Sequence, residues 1–413
     1  MLTAWSRWKE TPRALLLVAG LTAAGLMTQV AAPEADAVVR TAVRVQVDSE
    51  AEREVVRAVM LDLWTDSDAA PRFDVVVDAN DIERLREEGI EVEVLVPDVD
   101  ALAAEERERL ASAEAARPGN WFAEYRDYET VDAYLDMLAA RRPAFAQVEE
   151  LGASVEGRRI RTLKFSTGGE GRETIVLNGG QHAREWISVM ATTCIADRIV
   201  NEYDEDRRIR AMLDRFDVYV APVINPDGYV YSWESDRYWR KNRRGGYGVD
   251  LNRNWSVGFG GSGSSSNKRS QIFKGPRPFS EPETQALRDL IVREKTVAHI
   301  DFHSYGQMIL YPWAYSKTPA PDRERLSSLA NIMASAIART HGKRYKPMTG
   351  RDLYTAGGTA LDWSYGERNA AGYTIELRPD GGRRGFVLPP EQIVPTCDES
   401  FEAVLAMADT LDR

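Results

Sequence analysis

The chain has 413 residues, of which 43% are hydrophobic and 28% are charged, and its formal net charge is −11. This length exceeds that of a typical domain, so the sequence predicts either one large domain with an appendage or two domains. The acidic balance argues against nucleic acid as a partner.

Residues 1–37 have the pattern of a secretory signal peptide. A positively charged start is followed by an apolar run at residues 14–28 and then by small residues, among which Ala35-Asp36-Ala37 is a candidate cleavage site. An uncleaved membrane anchor is the alternative, although the apolar run is short for a membrane span. We expect a secreted protein, extracellular or periplasmic, with no stable membrane association once the signal is removed.

Residues 38–118 predict an acidic α+β unit followed by a connector. Strand-like and helix-like patterns alternate between residues 41 and 96, and residues 101–119 read as a charged helical linker. Residues 38–118 contain 21 Asp and Glu against 10 Arg and no Lys, so this segment carries a net charge equal to that of the whole chain. The linker arginines, Arg107, Arg109 and Arg117, would be accessible to a trypsin-like protease.

From Trp121 onward, helical and strand-like segments alternate. The predicted strands are 161–166, 174–180, 217–225, 296–304 and 372–378, and the predicted helices are 130–142, 187–203, 281–295, 323–342 and 399–411. This order predicts an α/β/α sandwich with a mixed, mostly parallel central sheet, and functional residues at the strand ends. Residues 258–283, rich in Gly and Ser, predict an exposed loop.

Two polar residues follow the predicted strand at 174–180. The turn after that strand would present His182 and Glu185, in QHAREW, on one side, a spacing that suits two ligands of a tetrahedral metal. His303, at the end of the strand at 296–304, is the candidate third ligand. The three residues fit a catalytic zinc site with an open position for water. A hydrogen-bonded histidine at a strand end is the alternative interpretation of His303.

We interpret the remaining histidines and the two cysteines as structural residues. His299 lies within a predicted strand, and His341 lies before Gly342 at a predicted helix end, where a cation suits the helix dipole. Cys194 and Cys397 are too few for a disulfide scaffold or a thiolate metal site, and we interpret them as two small buried hydrophobic residues. Whether they pair is not readable from the sequence.

Eight motifs resemble, in order and approximate spacing, those of the zinc metallocarboxypeptidases of the carboxypeptidase A type. They are HAREW, NPDGYVYS, YWRKNR, GVDLNRNW, GPRPFSEPE, HSYGQMILYPW, LYTAGGTALDW and YTIELRPDGGRRGF. The resemblance runs from about Trp121 to the C-terminus. It implies a catalytic domain at residues 119–413 that uses one Zn²⁺ per chain to hydrolyse the C-terminal peptide bond of peptides and proteins with a free C-terminus.

The resemblance implies roles at the metal and at the reacting bond. His182, Glu185 and His303 would be the zinc ligands, the set already known for this family. Asp250 would accept a hydrogen bond from His182 and hold the orientation of its ring. Two further residues would take part in the reaction, Glu376 as general base and then general acid, and Arg240 as the group that stabilises the oxyanion together with zinc.

The resemblance also implies a substrate cleft. Asn252 and Arg253 would bind the terminal carboxylate of the substrate, because the planar fork of arginine matches a carboxylate. Tyr354 would close over the substrate, and Arg184 would assist binding beside the metal. The side-chain pocket would be formed by Leu361 at its base and by Thr374, Leu310 and Ala314 on its walls.

Leu361 predicts a preference for apolar or aromatic C-terminal residues, since an apolar pocket floor favours an apolar side chain. The polar residues Thr349, Arg351 and Asp352 lie close in sequence and leave a mixed preference open. The loop disulfide of the pancreatic members of the family has no counterpart in this sequence.

Residues 38–118 lie where zymogens of the family carry an inhibitory propeptide. Their negative charge would complement a cleft that holds zinc and several arginines, and a protease that cuts near residues 107–118 would activate the enzyme. A solubilising or folding-assisting domain is the alternative for this segment.

Two alternative functions remain at this stage. One is a metallopeptidase that trims cell-wall peptides, against which the set of Asn252, Arg253 and Tyr354 argues. The other is a non-catalytic carboxypeptidase-like binding module, against which the retention of every ligand and of Glu376 argues.

Overall fold

A computed structural model describes residues 38–65, 67–116, 120–169 and 171–411. The predicted signal peptide, Arg117 and the Pro118-Gly119 end of the linker lie outside the described residues. From Val39 onward the chain forms one compact unit. Among the described residues, every helix is too short or too polar to cross a membrane.

The N-terminal part is an antiparallel four-stranded sheet with two helices, followed by a long connector helix. Its elements are β1 Arg40–Gln46, α1 Glu50–Val59, β2 Asp62–Leu63, β3 Arg72–Asp78, α2 Asp81–Glu87, β4 Glu91–Val96 and the connector helix α3 Val99–Ala116. The strand order is β2-β3-β1-β4. Apart from the two-residue strand β2, each element was predicted. The spacing of valine, isoleucine and leucine marks β1, α1, β3, α2 and β4, and a charged, alanine-rich composition marks α3.

The second part contains eight strands and nine helices among the described residues. The strands are β5 Ala146–Ala153, β6 Arg159–Phe165, β7 Glu173–Asn178, β8 Phe216–Ala221, β9 Lys295–Ser304, β10 Met308–Tyr311, β11 Lys346–Thr349 and β12 Ala371–Leu377. The helices are α4 Tyr128–Arg141, α5 Trp186–Asn201, α6 Arg207–Arg215, α7 Pro226–Glu234, α8 Pro282–Arg293, α9 Arg323–His341, α10 Gly350–Leu353, α11 Ala360–Arg368 and α12 Ile393–Thr410. Short 3₁₀ helices lie at Trp121–Ala123, Arg244–Gly246, Leu251–Arg253 and Pro390–Gln392.

The eight strands form one mixed sheet in the order β11-β10-β12-β9-β7-β8-β6-β5. Strands β12, β9, β7 and β8 run parallel, while β5, β6 and β10 make the antiparallel pairings. The carboxyl ends of β7, β9 and β12 therefore meet at one edge of the sheet. This edge carries the predicted site.

Helices cover both faces of the sheet, as predicted. Along β7, Ile175 and Leu177 pack into the cluster that contains helices α4, α5, α9 and α12, whereas Val176 packs into the cluster that contains α8 and α11. Successive residues of a strand point to opposite faces, so one apolar run supplies both layers of the core. The predicted α/β/α architecture is confirmed.

The sequence prediction missed several short elements. Strands β5, β10 and β11 and helices α6, α7, α10 and α11 were not predicted, and α12 begins six residues before the predicted start at residue 399. The start of α7 shows why, since its Asn-Pro-Asp-Gly sequence is typical of a turn. In the structure Asn225 caps the helix by accepting a hydrogen bond from the amide of Gly228 at 3.0 Å, with Pro226 in the first turn, where its missing N–H costs nothing.

Cys194 and Cys397 are buried, as predicted, and they form a disulfide that joins α5 to α12, a pairing that the sequence left open. The two residues are 203 positions apart in the sequence, and their Cα atoms are 5.9 Å apart in the fold. Only the packing of α12 against α5 brings them together, and a sequence pattern does not show that packing.

Replacing both cysteines by serine, C194S/C397S, is expected to lower the free energy of unfolding by about 2–5 kcal/mol, because the bond closes a long loop in the unfolded chain. Urea unfolding followed by circular dichroism measures the change. Reduced wild-type protein is the control, and it should lose as much stability as the double variant if the cross-link, not the serine hydroxyls, is responsible. An unchanged unfolding midpoint would contradict the prediction.

Candidate active site

The predicted ligands lie at the carboxyl ends of two neighbouring parallel strands. His182 lies in the turn between β7 and α5, Glu185 precedes the first residue of α5, and His303 is the penultimate residue of β9. The turn needs glycine, because a Cβ atom at Gly179 would lie 2.6 Å from the Thr192 hydroxyl oxygen and Gly180 has a φ of 64°. The tight turn brings the first two ligands directly over the end of the strand.

The three side chains converge on one buried point. The Nδ1 atoms of His182 and His303 are 3.0 Å apart, and each lies within 3.0 Å of a carboxylate oxygen of Glu185. All three residues are buried, and in the described part of the chain they are the one group whose ligand atoms fit a metal ion.

The opposite nitrogen of each ring explains why the Nδ1 atoms face one another. The Nε2 atom of His182 lies 3.1 Å from a carboxylate oxygen of Asp250, and that of His303 lies 2.7 Å from a carboxylate oxygen of Asp301. A carboxylate accepts, so each Nε2 carries the proton and each Nδ1 presents a lone pair. Two lone pairs and a carboxylate directed at one point repel one another without a cation, and this donor set fits zinc.

Sequence reasoning predicted Asp250 as the partner of His182 but missed Asp301. Asp301 precedes His303 by two residues on β9, and side chains two apart on a strand point to the same face. That spacing was the available signal.

Arg240 lies on the other side of Asp250. Its Nε and Nη2 atoms donate to one oxygen of Asp250 at 3.2 and 3.0 Å. Burial alone would raise the pKa of Asp250, but Arg240 and Arg253 outweigh it and hold that pKa well below its ordinary value. Asp250 therefore stays ionised and orients both His182 and Arg240.

The predicted specificity residues surround one cavity beside the metal site. Glu376 lies at its edge, on the strand β12, level with His303 on β9. Arg184 does not line the cavity. The lining contains the other predicted substrate-binding residues, namely Asn252, Arg253, Leu310, Ala314, Tyr354, Leu361 and Thr374, and also Gly350, Ala356 and Thr359, which sequence reasoning missed.

Buried hydrogen bonds fix the walls of this cavity. The amide of Ala360 donates to the side-chain oxygen of Asn252 at 2.9 Å, which ties the start of α11 to the predicted carboxylate clamp. Asp362 accepts hydrogen bonds from the amides of Ala314 and Tyr315 at 2.9 to 3.0 Å. Burial raises the pKa of Asp362 to about 7. Asp362 was not predicted, and it holds the loop on which Ala314 stands.

The loop that carries Arg240 is also held by buried carboxylates. The side chain of Asn242 donates to Glu281 at 2.8 Å and to Glu283 at 3.1 Å. Burial raises the pKa of Glu283 to about 7. Residues 258–283 were predicted as an exposed loop, which fits its Gly-Ser-rich part but not this buried end.

Arg184 contacts the N-terminal part of the chain. Its guanidinium donates to the carboxylate of Asp62 at 3.2 Å and to the carbonyl oxygen of Leu63 at 2.9 Å. Trp64 follows on the same segment, and its ring lies 5.2 Å from that of Tyr238 and 5.5 Å from that of Phe386. The residue predicted to assist substrate binding is therefore covered by residues 62–64.

A second cavity, of about 80 Å³, lies between the two parts of the chain. Trp64, Thr65, Ser67, Ala70 and Arg72 line it from the N-terminal part. Its other walls include Tyr305, Tyr354 and Glu376. The N-terminal part thus borders the predicted catalytic and substrate-closing residues.

The chain is similar to known zinc carboxypeptidases. The family model described as Peptidase M14, zinc carboxypeptidase, matches residues 131–403. Carboxypeptidase A1 of Rattus norvegicus is 36% identical over 379 residues, which cover 88% of this chain and 90% of that relative. Carboxypeptidase B of Astacus astacus is 40% identical over 298 residues, which cover 69% of this chain and 96% of that relative.

A solved structure shares the fold over both parts of the chain. The crystal structure of carboxypeptidase A from Helicoverpa armigera is similar with a TM-score of 0.82 and 32% sequence identity. The similarity covers 91% of this chain and 98% of that one, so it includes the N-terminal sheet as well as the eight-stranded sheet.

Glu185→Gln is expected to weaken zinc binding more than about 100-fold, because losing an anionic ligand costs more than losing a hydrogen-bond partner of a ligand, which already costs about 10- to 100-fold. Zinc affinity is measured by equilibrium competition with a chromogenic chelator. Glu283→Gln is the matched control, since Glu283 is equally buried but belongs to the network around Asn242. If Glu185→Gln binds one zinc ion per chain with wild-type affinity, the ligand assignment is contradicted.

Proposed function

The chain belongs to the zinc carboxypeptidase family, and on that premise we propose that His182, Glu185 and His303 hold its zinc while Glu376 catalyses removal of the C-terminal residue of peptides. The cofactor is zinc, one per chain. The observation that carries the proposal is the convergence of two Nδ1 atoms and one carboxylate beside a cavity that Glu376 borders. The two alternative functions are not favoured, because relatives that match 88% of this chain are named carboxypeptidases.

Bound zinc supplies Lewis-acid chemistry, since it polarises a peptide carbonyl and makes a water molecule more acidic. Glu376 takes the proton of the attacking water and gives it to the nitrogen of the leaving residue, as general base and then general acid. Arg240, held by Asp250, donates hydrogen bonds to the oxygen on which negative charge develops.

Recognition of a chain end requires a partner for the terminal carboxylate. Arg253 supplies a guanidinium on the cavity wall, with Asn252 beside it, and its Nε and Nη1 atoms are oriented by the carbonyl oxygens of Gly263 and Asn252 at 2.7 Å. Tyr354 borders both this cavity and the one towards the N-terminal part, a position from which it closes over bound substrate.

The side-chain pocket favours apolar or aromatic C-terminal residues. Apart from Arg253 and Glu376, which have other roles, the lining of the cavity contains no charged side chain in the described part of the chain. Leu310, Ala314 and Leu361 make its walls apolar, and a basic substrate side chain would lose its hydration there without gaining a charged partner.

The activity test uses peptides that are identical except for a C-terminal Phe, Leu, Lys, Arg or Glu, added to enzyme from which the N-terminal part has been removed by proteolysis. Phe and Leu should be released fastest, and Glu376→Gln should lower kcat by about 10²- to 10⁴-fold while leaving zinc bound. Leu361→Asp should shift the Lys:Phe ratio of kcat/KM toward Lys by about 100-fold or more, because an apolar side chain leaves the buried carboxylate unpaired.

Leu361→Ile is the conservative control for the pocket and should keep the preference for Phe and Leu. Preferred release of Lys by the wild-type enzyme would overturn the pocket assignment alone. No release of any residue by folded, zinc-loaded protein would overturn the proposed activity.

Residues 38–118 act, in this proposal, as an inhibitory propeptide of the catalytic domain at 119–413. The support is the position of residues 62–64 on Arg184 and the cavity that Trp64 shares with Glu376. The connector helix is held as well, since buried Glu106 accepts a hydrogen bond from Arg237 and Tyr238 donates to the carbonyl oxygen of Val99 at 2.9 Å.

Activation then requires a protease that cuts within residues 107–118. Arg107 and Arg109 lie on α3, where Arg109 pairs with Glu124, so a cut there must follow local opening of the helix. Arg117, beyond the described part of α3, is the third candidate site. With residues 1–37 as signal peptide, the enzyme is made as a secreted zymogen.

Trp64→Ala should give the uncleaved chain measurable activity on a small peptide, because the variant loses the ring contacts with Tyr238 and Phe386 that hold the segment over Arg184. The initial rate of the uncleaved variant is compared with that of the uncleaved wild type. Leu61→Ala is the matched control, since Leu61 belongs to the same segment but is 53% exposed, and it should stay inactive. Full activity of the uncleaved wild-type chain would overturn the inhibitory role and favour a solubilising or folding role.

A further inference from the structure

Asp301 is a fully buried carboxylate on β9. Within the described part of the chain, Asp301 forms an ion pair with His303 and with no lysine or arginine. A buried carboxylate costs free energy unless hydrogen bonds and positive charge compensate it. An imidazole that holds a divalent cation supplies such charge, so an occupied metal site would offset the cost of burying Asp301.

Three side chains donate to Asp301. Besides His303, the amide nitrogen of Asn178 donates to it at 2.6 Å, and the side-chain amide of Gln181 donates to the same oxygen as His303. Asn178 is the last residue of β7, and Gln181 directly precedes His182. One carboxylate therefore ties the segment that carries the first two ligands to the strand that carries the third.

The chain of hydrogen bonds continues behind Asn178. Because Asn178 donates through its nitrogen, its oxygen accepts, and the acceptor distance to His299 Nε2 is 2.6 Å. His299 Nδ1 then accepts from the hydroxyl of Ser364 on α11 at 2.7 Å. Burial lowers the pKa of His299 to about 4, which agrees with the neutral ring that this pattern requires.

We infer that Asp301 is a positioning residue for zinc, which holds His303 in the ligand tautomer as Asp250 holds His182, with Asn178, His299 and Ser364 fixing it from behind. Histidine ligands that donate to a carboxylate are oriented by it and are stronger donors to the metal. This inference rests on the proposed ligand role of His303. It gives His299, which the sequence analysis interpreted as structural, an indirect part in zinc binding.

The direction of each hydrogen bond makes Asp301→Asn a sharp test. All three partners donate, so an asparagine keeps one acceptor oxygen but turns an N–H group toward at least one donor. The ring of His303 then loses its fixed tautomer while the shape of the side chain is almost unchanged.

The test measures the zinc dissociation constant of the full-length chain by chelator competition, together with the d–d absorption spectrum of the Co²⁺-substituted protein. Asp301→Asn should raise the dissociation constant by about 10- to 100-fold and change the Co²⁺ spectrum. Asp227→Asn is the control at a second buried carboxylate, which accepts hydrogen bonds from the Ser154 hydroxyl, the Glu156 amide and the Arg158 guanidinium. This control should lose stability in the metal-free state but keep the wild-type zinc affinity and Co²⁺ spectrum.

Wild-type zinc affinity and an unchanged Co²⁺ spectrum in folded Asp301→Asn would overturn the inference and leave the proposed function intact. Failure of the wild-type chain to bind zinc would instead overturn the proposed function. If Asp301→Asn does not fold, His299→Gln decides the matter. It should raise the dissociation constant in the same direction but less, and an unchanged constant would overturn the inference.

Discussion

The site depends on one electrostatic constraint, that two buried imidazoles must present unprotonated Nδ1 atoms to the same point. The structure meets it by placing a buried carboxylate behind each ring, Asp250 behind His182 and Asp301 behind His303. Each carboxylate in turn needs compensation, which Arg240 gives to the first and side-chain amides give to the second. The network lies buried at the carboxyl ends of the parallel strands β7, β9 and β12. Water is therefore kept from competing for its hydrogen bonds.

The cations of the cleft have a second set of partners in the N-terminal part. Arg184 forms an ion pair with Asp62, and Arg237 forms one with Glu106 on the connector helix. The other guanidinium nitrogens of Arg237 donate to the carbonyl oxygens of Arg184 and Phe386. Buried arginines without anions would be costly, and the acidic N-terminal part supplies those anions.

The predictable part of this molecule is the part whose signals are local. A histidine at the end of an apolar strand is visible in the sequence, and so is each long helix with a regular apolar face. The disulfide was not predictable, because Cys194 and Cys397 meet only through the packing of two helices. His299 was interpreted as structural and Asp301 was missed, since Asn178 on β7 and Ser364 on α11 are their partners and a single segment shows neither contact.

The same hydrogen bonds relate the specificity pocket to the metal site. Leu361 and Ser364 stand one turn apart on α11, with Leu361 facing the cavity and Ser364 donating to His299. Asp362 between them holds the loop of Ala314, and the amide of Ala360 donates to Asn252. The backbone of α11 is thus fixed at three points by groups other than the side chain of Leu361. A helix fixed in this way would let Leu361, the proposed pocket floor, determine which side chain is accepted, while the distance from that floor to the metal ligands stays constant.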